Sequence, residues 1–406
     1  MNCTTTPIIT GMALTALAFT TTAQRADLES PGAHHDGGLG QTTRFDNEFN
    51  PAVSFIIDLL GEYTSESSGG KDGTDLNLRR IDLLVADWVD PDAFAWITLA
   101  IEEQGLELDE AAIEYVGLPS RNTLRAGRFF VDFGKQMQAH IEELRTIERP
   151  LVLRAFLGEE LAGDGVQWDY WHGVGDTTLL RYSLGAFGSL AEGFGRREGE
   201  PGPEVNVPSR KQLDELNFTA RITALTEIGE NSNLQLGGSG RAIPKFAFEY
   251  APSDLLEAGY SNSVFGVDAT FGWQSDSGIS NFTTGLEYLW NTGDLEAELD
   301  DAGTPANSTD DALIVANGTR TGYYGFVDYG WSRSDSSGVQ YSRRQAGRID
   351  KAERGELDLY YTHHLSEFLR LRAGLTFATD ESGPDSTRFA IQLTSFVGPH
   401  AHGMSW

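Results

Sequence analysis

The chain has 406 residues, 40% of them hydrophobic and 11% aromatic, with 46 Gly, 14 Pro and one Cys. Asp plus Glu total 60 against 30 for Lys plus Arg, a formal charge of −30, which argues against nucleic acid as partner because phosphate binding needs a positive footprint. The apolar content is enough to offset ordering entropy, while a mean hydropathy of −0.30 without a long apolar run past the N-terminus excludes a helical membrane protein and leaves a strand-built one open.

Pro7 to Phe19 is an apolar stretch rich in Ala and Thr that ends in small residues near Thr22-Ala23-Gln24, the pattern of a secretory signal over 1–23. It lacks the usual Lys or Arg in its first residues. Cys3 precedes the apolar stretch, so it is no lipobox cysteine, and export would leave a chain without thiols. Disulfides, thiol nucleophiles and cysteine metal sites are then excluded. Residues 24–48 read as a flexible leader, and 49–406 as one barrel.

From Asn50 onward the pattern is period-two alternation broken by Gly, Asp, Asn and Ser, which predicts antiparallel strands. The predicted strands, in chain order, are 51–60, 74–86, 92–102, 107–116, 122–130, 163–171, 177–189, 216–226, 233–241, 263–273, 280–290, 321–331, 338–346, 355–363, 367–378 and 387–397. About sixteen strands fall within the range of outer-membrane barrels, near porin size. In 263–273, Phe265, Val267, Phe271 and Trp273 share one face and Gly266, Asp268 and Thr270 the other. Likewise Leu286, Tyr288 and Trp290 oppose Thr283 and Glu287, and Leu371, Leu375 and Phe377 oppose Arg370 and Arg372. An inner face carrying Gly, Thr, Asp, Glu and Arg is not expected to be a packed core. The gaps also alternate, with long ones such as 61–73, 131–162, 190–215, 242–262 and 291–320 interleaved with short ones such as 87–91, 117–121, 172–176 and 274–279. Long loops at one end and tight turns at the other are the asymmetry of outer-membrane barrels, whose turns face the periplasm. Trp88, Trp171, Trp273 and Trp331 each precede a short turn, which predicts half of an aromatic girdle.

The segment 131–162 holds the chain's best helical fragment, with Met137, Ile141 and Leu144 on one side. It carries Asp132, Glu142, Glu143, Glu148, Glu159 and Glu160 beside Lys135, Arg145, Arg149 and Arg154, a mixture that reads either as a transverse field across an eyelet or as a solvated helix on the rim. Alternation assigns Asp58, Arg181, Arg221, Asp268, Glu287, Asp358, Arg370, Arg372 and Arg388 to the lumen, with no single-sign ladder among them. The acidic stretch 291–320, with Asp294, Glu296, Glu298 and Asp300, reads as a solvated surface loop or a loose divalent-cation site. His140, with His34-His35, His400 and His402 near the termini, is the one set suited to zinc; no other cofactor is implied. No G-x-S-x-G, H-E-x-x-H or phosphate-cradling glycine loop occurs, so no catalytic set stands out and no enzyme is expected.

Phe49-Asn50-Pro51-Ala52-Val53-Ser54, Arg125-Ala126-Gly127-Arg128-Phe129-Phe130, the run from Glu148-Arg149-Pro150 to Gly158, and Asp164-Gly165-Val166-Gln167 resemble a family of Gram-negative outer-membrane barrels related to the phosphate-selective porins. Some members of that family are described as zinc-regulated or TonB-dependent receptors. The resemblance implies a porin-like channel in outer-membrane lipid, exported by its signal peptide, with 131–162 folded into the lumen to set the constriction. The resemblance does not name a substrate; the polar lumen and mixed charges lead us to expect passive or weakly selective passage of small hydrophilic solutes or ions, with a homotrimer, as in many porins, as one assembly state. Two departures stand out. Where family members carry His-x-His before the Arg-Pro-Leu stretch, this chain has Gln138-Ala139-His140, one imidazole only. A TonB receptor needs a plug inside a barrel of about 22 strands, for which 406 residues leave no room. The alternatives are a zinc-linked uptake barrel using His140 and the terminal histidines, and a non-conducting structural or adhesive barrel.

Overall fold

The computed structural model describes residues 51–66, 72–102, 105–190, 204–206, 212–250, 255–300, 312–349 and 351–398. The expected signal and leader, and His34, His35, His400 and His402, lie outside the described residues.

Among the described residues seventeen strands form: β1 (Ala52–Glu66), β2 (Gly73–Asp90), β3 (Ala93–Glu102), β4 (Gly105–Leu118), β5 (Asn122–Phe130), β6 (Ala162–Val174), β7 (Thr178–Phe187), β8 (Glu204–Asn206), β9 (Asn217–Glu227), β10 (Ser232–Tyr250), β11 (Leu255–Gln274), β12 (Asn281–Asp300), β13 (Ala312–Gly330), β14 (Asp335–Arg344), β15 (Arg354–Ser366), β16 (Leu369–Asp380) and β17 (Ser386–Val397). β8 only extends the edge of β10, pairing with Ala247, Phe248 and Glu249. The other sixteen pair antiparallel in chain order, and β1 closes the ring on β17 from Phe55↔Val397 to Glu66↔Ser386. Around the closed part of the ring each strand is paired on both sides, so its amides and carbonyls find partners without water.

The alternation seen in the sequence sets the two faces. Phe265 (51% exposed), Val267 (50%) and Leu286 (56%) point outward, while Asp268, Thr270 and Glu287 on the same strands are buried inside. β16 behaves the same way, with Phe377 outward and Arg370 and Arg372 inward.

Three expectations are corrected. First, β10 to β13 run nearly twice as far as alternation predicts at the end that carries the long loops, so 242–262 and 291–320 are largely strand. Pro244, which has no N–H to give the ladder, sits where the β10–β11 register shifts. Around it the inner face turns apolar: Ile243, Phe246, Phe248 and Leu313 form a second small core that keeps the ladder standing past the belt. Within this extension Asp294 accepts from the Ser261 amide and Asn317, and Glu296 pairs with Arg320 and accepts from the Arg348 and Ile349 amides. These carboxylates hold the hairpin together and are not a loose surface loop.

Second, the helical fragment moves. Ile141–Glu143 is only a 3-10 turn, and the helix, α1, spans Leu151–Leu157. Pro150 at its N-cap has a fixed φ suited to a helix start, and Val152, Leu153, Phe156 and Leu157 are all buried, so packing decides a helix too short to stand alone.

Third, the lumen does contain a packed core. Phe133, Met137, Val152, Leu153, Phe156 and Leu157 of the inserted segment pack on Phe129, Phe187, Val264, Leu289, Tyr324 and Phe326 of the wall. Wall glycines make the room: a Cβ at Gly322 would lie 2.4 Å from Val152, and one at Gly374 2.9 Å from Ile147.

The four tryptophans also divide. Trp273 and Trp331 are exposed on the outer face. Trp88 packs on buried Phe94 at 5.4 Å, and Trp171 lies under the Arg181 guanidinium at 5.1 Å, so both face the lumen and leave the girdle to Trp273, Trp331 and neighbouring tyrosines.

Candidate constriction

Phe130 pairs directly with Ala162, so the 31 residues between them leave and re-enter the wall at one point. That excursion crosses the lumen, where most of its length is buried. Gly134, with φ of 60°, turns the chain inward where a Cβ would collide with the Glu287 carboxylate.

The wall holds this segment from several sides. Toward β10, the Gly134 amide donates to Ser239 Oγ at 3.0 Å and Lys135 Nζ to Gln235 at 2.9 Å, and toward β12 the Lys135 amide donates to Glu287 at 3.4 Å. Toward β14, Gln136 donates to Gln340 at 3.3 Å and the Val152 amide to Ser342 Oγ at 3.1 Å. Toward β16, Arg370 donates to the Glu142 carbonyl and Arg372 to the Thr146 carbonyl at 2.9 Å. Toward β2 and β17, Arg79 donates to the Ile147 carbonyl at 2.9 Å, and Glu148 lies 3.3 Å from Arg388. Arg149, fully buried, folds the segment on itself by donating to the Gln136 and Ala139 carbonyls. Arginines on the wall meeting carbonyls of the insert give charge-assisted bonds without needing a matching carboxylate.

A second network ties β5–β6–β7 to β9–β11. Asp132, just past β5, meets Arg181 at 2.9 Å, Arg221 at 3.3 Å and Ser183 Oγ at 2.8 Å, and Arg221 also meets Asp268 at 2.7 Å. Tyr324 donates to Glu287 at 2.8 Å. On the opposite wall Arg80 gathers Asp82 at 2.6 Å, Glu160 at 3.0 Å and Asp109. Asp58, Arg80, Arg372, Gln392 and Thr394 are each 5% exposed or less, although all point into the lumen. Water reaches such side chains in an open pore; here the insert covers them.

No family model matches the chain. An uncharacterised protein of Aquifex aeolicus (strain VF5) is 23% identical over 405 residues, spanning 89% of this chain and 82% of that protein. Among solved structures, the outer membrane channel DcaP of Acinetobacter baumannii superposes with a TM-score of 0.53 at 11% identity, covering 86% of this chain and 97% of that one. The anion-selective porin from Comamonas acidovorans gives 0.52 at 12% identity, covering 85% and 99%. A loop-deletion mutant of OmpT, an outer membrane protein of Vibrio cholerae, gives 0.51 at 11%, covering 85% and 99%. The fold is that of the porins.

In this porin-like barrel the residues singled out in the sequence fall into separate groups. Glu142 and Glu143 sit at the tip of the insert with His140, and Arg370 and Arg372 grip that tip from β16. Arg145 reaches Asp328 at 3.5 Å and lies over Phe326, and Arg149 is internal to the insert. Asp268 and Glu287 belong to the Arg221 network across the lumen, and Arg154 stands apart on Glu356 of β15. Among the described residues no group of three His, Cys, Asp or Glu side chains is placed to hold a metal ion. Arg79, Arg80, Glu110, Gln340 and Gln392 are components that sequence reasoning missed, and Asp132 was read only as one of the charges of the inserted segment. Arg80 and Asp82 had a signal, since charged residues two apart in an alternating strand share a face; nothing local marked Asp132, outside any strand, as the junction of two walls.

His140 Nε2 lies 3.2 Å from Glu110, and its ring packs edge-on against Phe130 at 4.6 Å. Burial disfavours the imidazolium, but the Glu110 hydrogen bond and the charges of Glu142, Glu110 and Glu143 outweigh it, raising the pKa from 6.5 to about 10. Burial first, then Glu142, pushes the Glu143 carboxyl upward. A raised histidine pKa stabilises the seated insert fully below 6.5, and that contribution is lost as the pH climbs through about 10. The His140 ring is therefore expected to stay protonated at neutral pH, with its NMR titration midpoint near 10, and Glu110→Gln is expected to bring the midpoint down. A midpoint near 6.5 in the wild-type chain would show that the pair does not form.

Proposed function

We propose that the chain is an outer-membrane channel for small hydrophilic solutes or ions, with residues 1–23 as export signal and the segment 131–161 as constriction. The observation that carries this reading is the insert itself: a segment entering and leaving between paired residues Phe130 and Ala162, crossing a closed sixteen-stranded ring and bound to walls on several sides. The porin fold, the apolar outer face and the long-loop, short-turn asymmetry agree with it. Selectivity is weak on this reading, because the partly exposed charges around the insert mix Glu148, Glu62 and Glu356 with Arg388, Arg79 and Arg154. The channel holds no covalent chemistry and no cofactor. In the seated state the insert narrows the lumen along β16, β17, β1 and β2.

Planar-bilayer recording of the detergent-folded chain under a salt gradient tests the reading. Small steps with a reversal potential near zero are expected. Silence from a barrel shown to be folded by its heat-modifiable gel mobility, persisting after the insert is removed, would overturn it. Membrane embedding is tested separately with single-tryptophan variants in brominated-lipid vesicles: Trp273 and Trp331 are expected to be quenched, while Trp88 and Trp171 are not.

A further inference from the structure

The outer face carries a groove of about 900 Å³ running across β6, β7, β9, β10, β11 and β12. Its floor is Ala220, Gly238 and Gly240, which lie side by side because Ala220 pairs with Gly240, and Gly238 follows two residues earlier on β10. Trp168 and Leu184 form one wall and Phe265 and Trp290 the other.

Nothing inside the barrel requires those glycines. A Cβ on Gly238 would meet Ile222 at 3.7 Å and one on Gly240 would meet Phe265 at 3.4 Å, both ordinary contacts, and neither residue has a left-handed φ. The missing side chains empty the outer face without serving the packing beneath it.

The groove also has a direction. Trp168 stands six residues from the turn end of β6 (174 minus 168), Gly240 eight from that of β10 (240 minus 232), and Trp290 nine from that of β12 (290 minus 281). The row therefore climbs from the turn end toward the middle of the apolar belt. Its low end is polar: His172, two residues from the end of β6, stacks on Tyr170 at 6.2 Å, and Tyr170 on Tyr182 at 6.1 Å. A trough with hydroxyls and an imidazole at the periplasmic edge and bare apolar floor above matches an amphiphile standing in the periplasmic leaflet.

We propose that this groove holds an acyl chain of a phospholipid from the periplasmic leaflet, with the headgroup beside Tyr170 and His172. The proposal rests on the outer-membrane reading, since that reading puts hydrocarbon against this face.

The test folds the wild-type chain, the Gly238→Leu/Gly240→Leu variant and the milder Ala220→Leu variant into vesicles containing a chain-spin-labelled phospholipid. Heat-modifiable mobility and co-flotation establish folding and insertion. Electron spin resonance is expected to show a strongly immobilised component for the wild type that is lost in both variants. The same component in all three would overturn the proposal. An unchanged component together with loss of cross-linkable oligomers in the variants would assign the groove to a second copy of the chain and also overturn it. A folded wild-type chain that fails to float with vesicles would instead refute the outer-membrane reading, and the proposal with it.

Discussion

Replacing residues 133–159 with a short Gly-Ser turn is expected to raise single-channel conductance at least about threefold, because a sixteen-stranded barrel without its insert leaves an aqueous channel. The deletion is geometrically mild: Phe130 and Ala162 are already paired, so a tight turn joins β5 to β6. It removes the groups that cover Asp58, Arg372, Gln392 and Thr394 and returns those side chains to water. Smaller changes act in the same direction. Phe156→Ala cuts a fully buried ring out of the lumen core, a loss of about 3–5 kcal/mol that falls on the seating of the insert before it falls on the ring of strands. The readout is step amplitude at fixed salt. Equal conductance for the full chain and the deletion would show that the insert does not restrict the path.

Asp132→Ala is expected to have the largest effect on stability among single charge removals, about 3–5 kcal/mol. Asp132 is buried between two guanidiniums, Arg181 at 2.9 Å and Arg221 at 3.3 Å, and also receives Ser183 and Gln138. Arg221 keeps Asp268 and Arg181 keeps Asp169, but without Asp132 the two cations face each other inside the barrel. Asp132→Asn retains acceptors for the hydrogen bonds and is expected to lose less. The contrast is Asp164, largely exposed and 3.9 Å from Arg128, whose removal is expected to change stability by no more than about 1 kcal/mol. Urea unfolding in vesicles, followed by gel mobility, measures all three. Near-equal midpoints for the two alanine variants would sink the assignment of Asp132 as the junction of the β5–β7 and β9–β11 walls.

Stretches where one side of the chain meets one environment were readable from residues alone. Asp268, Glu287, Arg370 and Arg372 were assigned to the lumen by parity, and they lie there, because alternation is a two-residue signal that needs no knowledge of partners. Parity also explains the misreading of Trp171. It shares a face with Gln167 and Asp169, but Trp168, Tyr170 and His172 on the other face are aromatic too, so ring identity at a strand end does not report side. The reach of β10–β13 was illegible for a related reason: at the Pro244 shift the apolar residues switch to the inner face, and a pattern that changes phase reads as a loop.

By itself the sequence determined a strand-built barrel with polar inner positions, one long loop after the fifth strand and an outer face suited to hydrocarbon, because each of these follows from spacing along a few residues; that the loop folds inward was implied only by the family resemblance. Only the tertiary structure decided where the insert lands. Arg370 meets Glu142 across 228 residues of chain and Arg372 meets Thr146 across 226, contacts created by closing β1 onto β17 and folding one long segment into the ring. It also decided that the insert brings an apolar core into a lumen whose walls read as polar, and that three small residues on two neighbouring strands line up as an open groove. Such juxtapositions depend on register summed around the ring, which no local pattern encodes.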